Sequence, residues 1–397
     1  MTQARTQLGD SHNFGRRVSL REGRVVKPRA LLWEQLLLSA ESPLRRLLDE
    51  AAEREGLGRE AFGFLPDLQF SFSPDEIGGE VTRIALDPLP APSPEIRRSL
   101  AIITGRSLAL WSWLGVTDLH WENLVLGVDA RGQVVFTPLD VEMILSDLSM
   151  PTETKLLPDA DPEYAEVSRH AAGVRRVLPC LGKPIEIANL LAMVGAYRGT
   201  LALLDRQSGK IAELLSALPG LGETPIRVLL RGTGEYVHAR EQPPWPPLLE
   251  AEIAQLARGD IPYFFRLYGK KGIHCYAEPS LQRVETLPTE GDVPQLDPLL
   301  QVSRGLRSPT RKKLREDGLF TLLGAFDHPS FTGVHRSDEI EVTFRARTLV
   351  VKLPKGEELE TKRNLRAFVG SVYLPCRCGE VLGVFVPEVT VCEAGRR

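Results

Sequence analysis

Apolar and polar positions change rhythm along the chain, and the changes mark its elements. From Arg17 to Lys27 they alternate around Glu22-Gly23 (Arg17, Val18, Ser19, Leu20, then Arg24, Val25, Val26, Lys27). This predicts a β-hairpin, because successive strand side chains point to opposite faces. The spacing then lengthens to a helical period through Leu31, Leu32, Leu36, Leu37, Leu38, Leu47 and Leu48, with Pro43 dividing two helices. Short strands are expected at 68–72 and 81–86, followed by a proline-rich extended linker at 87–94. Ser93-Pro94-Glu95 opens a helix that runs to about Trp113, where Gly115 marks its end. Strands at 124–127 and 134–139 flank the turn Asp129-Ala130-Arg131-Gly132, and residues 149–162 form a polar loop. Helical patterns resume at 186–204, 210–218 and 247–257, and strand patterning dominates from Glu339 onward.

Composition narrows the class. In 397 residues, 43% are hydrophobic and 25% charged, which excludes collagenous, disordered and supercharged chains. Lys and Arg (49) nearly balance Asp and Glu (52), so no global basic field draws nucleic acid or an anionic membrane. The first thirty residues lack the apolar core of a secretory signal, and no stretch offers 18 uninterrupted apolar residues. Five scattered cysteines fit a reducing compartment, so a cytoplasmic location is expected. The expected fold class is α+β, divided into an N-terminal lobe at 1–90, a C-terminal catalytic lobe at 91–300 and a β-rich extension at 301–397.

The chemistry concentrates in Thr117-Asp118-Leu119-His120-Trp121-Glu122-Asn123 and, one hairpin later, Pro138-Leu139-Asp140-Val141-Glu142. Phosphoryl transfer needs this layout: one Asp to orient or deprotonate the acceptor hydroxyl, then an Asn and a second Asp to hold the Mg²⁺ that bridges the ATP phosphates. Lys27, ending the first hairpin, supplies a cation for those phosphates, and the segment Gly9-Asp10-Ser11-His12-Asn13-Phe14-Gly15 is placed as a loop that covers them. Singly, Asp118 and Asn123 read as turn residues, His120 as a hydrogen-bonded histidine and Lys27 as an edge charge. Asp140 and Glu142 would share one strand face and repel unless neutralised. The four parts in order favour phosphotransfer.

The segments GDSHNFGRR…VVKPRALLWE, GVTDLHWENLV, PLDVE, RVLLRGTGEY and GDIPYF together resemble the dehydratase domain of class II lanthipeptide synthetases, whose core is similar to phosphoinositide-type lipid kinases. The similarity spans about residues 8–265. It implies a bilobal protein/lipid-kinase-like core, ATP and Mg²⁺ as cofactors, a ribosomal precursor peptide as substrate and a separate cyclase or other tailoring enzyme as partner. In that pattern Lys27, Asp10 and His12 attend the nucleotide phosphates. Asp118 positions or deprotonates the hydroxyl, His120 supports the transferring phosphate, and Asn123, Asp140 and Glu142 form the metal-binding set. Arg227 and Thr233 match residues that promote loss of phosphate from a phosphorylated Ser or Thr. Such an enzyme makes dehydroalanine or dehydrobutyrine, while a kinase that never eliminates and an idle nucleotide-binding partner are the alternatives. The chain departs from the pattern in three ways. The sequence starts almost at the 9–15 segment, so the helical region that precedes it in the family is expected to be absent, and so are the cyclase's zinc ligands, because Cys376, Cys378 and Cys392 have no nearby His. Its short, proline-rich 86–94 segment leaves the adenine contacts unassigned.

Overall fold

A computed structural model describes residues 6–73, 77–146, 148, 150–158, 171–239, 247–287, 311–354 and 356–363. Strands β1 (Thr6–His12), β2 (Arg16–Arg21) and β3 (Arg24–Lys27) lead into helices α1 (Leu32–Leu38) and α2 (Pro43–Arg54), then β4 (Phe70–Phe72) and β5 (Gly79–Thr82). The strands make one antiparallel sheet in the order β1-β2-β3-β5-β4. Arg21 pairs with Arg24, so β2 and β3 are joined by two residues, Glu22 and Gly23, both at positive φ (38° and 77°). This is the mirror-image turn whose twist suits a hairpin. The Ser42 hydroxyl accepts from Arg45 N at 3.0 Å and Pro43 sits in the first turn, which together start α2.

The segment 9–15, expected as a loop, is mostly strand. Only Asn13–Gly15 turns, and β1 pairs with β2 through a bulge between Leu8 and His12. An edge strand needs no apolar alternation, and Gly9-Asp10-Ser11-His12 has none, so the hydrophobic period was silent there.

Helix α3 (Pro94–Trp113) leads to the hairpin β6 (Leu124–Val128) and β7 (Val134–Pro138), then to α4 (Ile187–Ala217). Helices α3 and α4 pack closely at Gly105, where an added methyl would lie 2.1 Å from the Met193 carbonyl oxygen. The two helices expected at 186–204 and 210–218 are one. The polar run Asp205-Arg206-Gln207 does not break the helix, and Arg206 and Gln207 bind Glu55 beyond the end of α2. By length and composition α4 could cross a membrane, yet most of its apolar window is buried within the fold.

A second antiparallel sheet follows: β8 (Pro225–Val228), α5 (Thr233–His238), α6 (Glu250–Ala257), β9 (Phe264–Leu267), β10 (His274–Tyr276) and β11 (Val284–Thr286), with strand order β11-β10-β9-β8. Beyond it lie α7 (Arg311–Ala325), a helix the strand patterning did not suggest, and the meander β12 (Gly333–Arg336), β13 (Glu341–Phe344), β14 (Thr348–Lys352) and β15 (Glu358–Lys362). The C-terminal elements rest on α4: Tyr197 Oη donates to Leu314 O at 2.9 Å and Arg198 donates to Glu339 O at 3.2 Å. One hydrophobic core runs from Trp33 through Leu108 and Tyr197 to Leu322 and Val351. The class is α+β. The strand-like stretch 367–391 and Cys376, Cys378 and Cys392 lie outside the described residues.

Candidate active site

A cleft of about 990 Å³ opens where the first sheet faces the β6–β7 hairpin and β8. Asp10, His12, Lys27, Asp118, His120, Asn123, Asp140, Glu142, Arg227 and Thr233, the ten residues singled out from the sequence, all line it. The β6–β7 hairpin explains part of this convergence. Leu139 N donates to Asn123 O at 2.8 Å, which sets Asp140 beside Asn123 although 17 positions separate them.

Buried charge at the cleft is organised as an alternating network. Lys27 Nζ donates to both Glu34 oxygens at 2.8 and 3.0 Å and to Leu139 O at 2.8 Å. Arg29 binds Glu34 and Asp140, and its Nε lies 3.2 Å from Glu142 Oε2. Arg227 takes the other Glu142 oxygen, and its backbone N donates to Glu142 O at 2.8 Å. Three cations thus face three carboxylates and offset the cost of burying charge, though at Glu34 burial prevails and pushes its pKa up against Arg29 and Lys27. Burial alone would raise the Asp140 pKa, but Arg29 and Lys27 hold it well below the usual carboxylate range. Burial likewise opposes the charge on Arg227, and Glu142 outweighs it. Arg29 Nη1 and Arg227 Nε are buried without a hydrogen-bond partner, although both side chains line the cleft.

Asp118 sits at φ 64°, in the left-handed region uncommon for a non-glycine residue. Lys155 Nζ lies 2.6 Å from its Oδ1, while Asn123 Nδ2 donates to Asp118 O at 2.9 Å and to Oδ2 at 3.3 Å. His120 Nδ1 accepts from Glu122 N at 3.3 Å, which leaves its Nε2, 3.9 Å from Asp118 Oδ2, to carry the proton of a neutral ring. Burial, aided by Lys155, pushes the His120 pKa down against the pull of Asp118. Burial and then Arg227 do the same to His12. His12 Nδ1 lies 2.8 Å from the Ile261 carbonyl, which can only accept, so the neutral imidazole has a bare Nε2.

The turn at 13–15 is tied down by Asp260. Its carboxylate accepts from Ser11 Oγ (2.7 Å), Phe14 N (2.7 Å) and Gly15 N (2.9 Å), and Arg258 stacks over the Phe14 ring at 4.0 Å. Asn13, Phe14 and Gly15 have consecutive positive φ values, a concave run of amides suited to an anion, and Asp260 fills that role internally. Tyr263, three residues on, stands between His12 (5.9 Å between rings) and Arg227 (5.4 Å to the ring centre). Thr233 is exposed at the first position of α5, and Asp10 is exposed on β1. Arg231 turns away to a buried pair with Glu252 at 3.0 Å.

Sequence reasoning missed Glu34, Arg29, Lys155 and Asp260. Glu34 was visible as one acid within the apolar run Leu31-Leu32-Trp33-Glu34-Gln35-Leu36, and Arg29 as the neighbour of Lys27. Lys155, in a polar loop, gave no local signal. Among the described residues no group of three or more His, Cys, Asp or Glu could hold a metal ion unaided. Asn123 and Asp140 nevertheless fit Mg²⁺ as it binds alongside phosphates, with one or two protein oxygens completed by phosphate and water. Glu142 is engaged by Arg29 and Arg227 instead. A scan against protein-family models finds no match, and a search of curated proteins finds none either.

Proposed function

We propose that this protein is an ATP-dependent dehydratase of Ser and Thr in a ribosomal precursor peptide, built on a bilobal kinase-like core and working in the cytoplasm beside a separate cyclase or other tailoring enzyme. The observation that carries the reading is the meeting of Lys27, Asp118, Asn123, Asp140 and Arg227 in one cleft. Val18, Val25, Ile84, Val125 and Met143 add an apolar lining that suits a purine ring. Lys27, held by Glu34, meets the nucleotide phosphates, while Asn123 and Asp140 hold Mg²⁺, which neutralises charge on those phosphates. Asp118 then receives the proton of the peptide hydroxyl as His120 donates toward the transferred group.

Elimination uses the other side of the cleft. Phosphate makes the Ser or Thr oxygen a competent leaving group, and Arg227, kept fully charged by Glu142, stabilises the departing dianion with Thr233 nearby. His12, which lines the same cleft as Arg227 with a lowered pKa and a bare Nε2, is the base for the Cα proton. Mass spectrometry of a Ser/Thr-rich peptide encoded beside the gene, incubated with ATP and Mg²⁺, tests this. A loss of about 18 Da per site marks dehydration, and a gain of about 80 Da marks a kinase that stops at the phosphoester. Arg227→Ala is expected to accumulate the heavier species. No mass change with such peptides would overturn the reading.

A further inference from the structure

Asp118 and Lys155 share a backbone state as well as an ion pair. Their φ values are 64° and 66°, both in the left-handed region that costs a side-chain-bearing residue stability. The surroundings enforce it: Leu119 N donates to Thr154 O at 2.9 Å, Gly173 N donates to Lys155 O at 2.9 Å, and Leu156 N donates to Thr154 Oγ1 at 3.0 Å. At Gly173 a methyl would meet the Leu119 carbonyl at 2.4 Å, so the two loops are in register with no slack. The pair itself is half exposed on the Lys155 side (52%), where an ion pair contributes little to stability. Lys155 takes this conformation as the residue that closes the helical turn 151–154, whereas Asp118 is held in it by its loop, and strain at Asp118 under a weak contact points to function. Lys155 also lines the same cleft as Lys27 and Asp140, and its four-carbon stem gives the ammonium reach within it.

We propose that Lys155 is a further catalytic residue of the phosphotransfer step, acting as an ATP-operated gate on Asp118; this rests on the phosphotransfer reading above. Without nucleotide, the ammonium occupies Asp118 Oδ1 and closes that oxygen to a hydroxyl proton. When ATP binds, its γ-phosphoryl oxygens draw Lys155 away and Asp118 is opened. The hydroxyl proton then passes to Asp118, the O–P bond forms, the bond from γ-phosphorus to the bridging oxygen breaks, and ADP leaves with the electron pair. Lys155 balances the charge gathering on the transferring group.

The test measures phosphate transfer from ATP and Mg²⁺ to a Ser/Thr-rich peptide encoded beside the gene, together with Tm, for wild type and for Lys155→Met, Lys155→Arg and Lys155→Gly. Loss of the charge in Lys155→Met is expected to lower kcat about 100-fold with the KM for ATP within about threefold, and Lys155→Arg to restore part of the rate. Lys155→Gly removes the side chain and also the φ strain, so it is expected to lose activity while its Tm equals or exceeds that of wild type. Lys155→Met transferring phosphate within about threefold of wild type, or Lys155→Gly losing Tm along with activity, would overturn the assignment and leave the phosphotransfer reading standing. A wild-type protein that transfers no phosphate would overturn both.

Discussion

Replacing Asp260 with alanine removes the one acceptor that holds the 13–15 turn. Four donors lose their partner: Ser11 Oγ, Phe14 N and Gly15 N, at 2.7, 2.7 and 2.9 Å, and the more exposed Arg258 Nε at 3.5 Å, which also regains water. Hydrogen bonds to a charged group contribute about 1.5–3 kcal/mol each. Gly15 is exposed and its amide regains water, so two bonds govern the loss, about 3–6 kcal/mol if nothing else moves. The turn lies on an edge strand and can open locally, which lets much of that cost escape. A global loss of about 2 kcal/mol in urea unfolding with unchanged m is expected, and the rest emerges as faster hydrogen exchange at Phe14 and Gly15. Asp260→Asn keeps one acceptor oxygen and should recover part of the loss.

The pH dependence has a definite sign. Burial opposes the charge on Asp260, but the bonds from Ser11, Gly15 and Phe14 prevail and its folded pKa is lowered. Its contribution is therefore complete above the unfolded carboxyl pKa of about 4 and disappears as pH falls through the lower folded value. The gap between wild type and Asp260→Ala should be widest at neutral pH and close in acid. A loss under about 0.5 kcal/mol at pH 7, with unchanged exchange at Phe14 and Gly15, would refute the anchoring role.

Other perturbations separate packing from charge. Gly105→Ala drives a methyl against the Met193 carbonyl and should cost about 1–3 kcal/mol, read as a lowered Tm. Glu142→Gln leaves Arg29 and Arg227 facing each other nearly buried and should cost about 3 kcal/mol in urea; adding Arg227→Gln should recover part of it, a sign that the two charges are coupled. Arg363→Met strips Asp327, which is fully buried, of its partner and should destabilise by about 3–5 kcal/mol in the same assay.

What the sequence revealed depended on how local each signal was. The β2–β3 turn, the Ser93 start of α3 and the Asp129 hairpin are set by neighbours within a few positions, and all three lie where the pattern put them. Lys27, Asp118, Asn123 and Asp140 were picked out by type and order and the other six by the family resemblance, and the cleft brings all ten together. Glu34 and Asp260 were hidden for a different reason. Asp260 completes amides as far as 245 positions away, in the case of Gly15, while Glu34 pairs with Lys27 and Arg29 only seven and five positions off but across the junction from β3 to α1, and no periodicity carries either contact. The α4 helix was misread as two because Asp205, Arg206 and Gln207, whose polar groups are met by Trp113 and Glu55, look like a chain break when only polarity is counted.

Helix α4 holds a lesson for anyone who trims this chain. Its apolar surface is finished by residues more than a hundred positions downstream: Glu339 sits against Gly195, and Tyr197 reaches Leu314. A fragment cut before Arg311 would keep all ten cleft-lining site residues and the packing of α3 on α4, yet bare the face of α4 that α7 and the meander cover. That face is expected to take up detergent. The C-terminal segment is thus less an accessory than a part of the hull that keeps this helix dry.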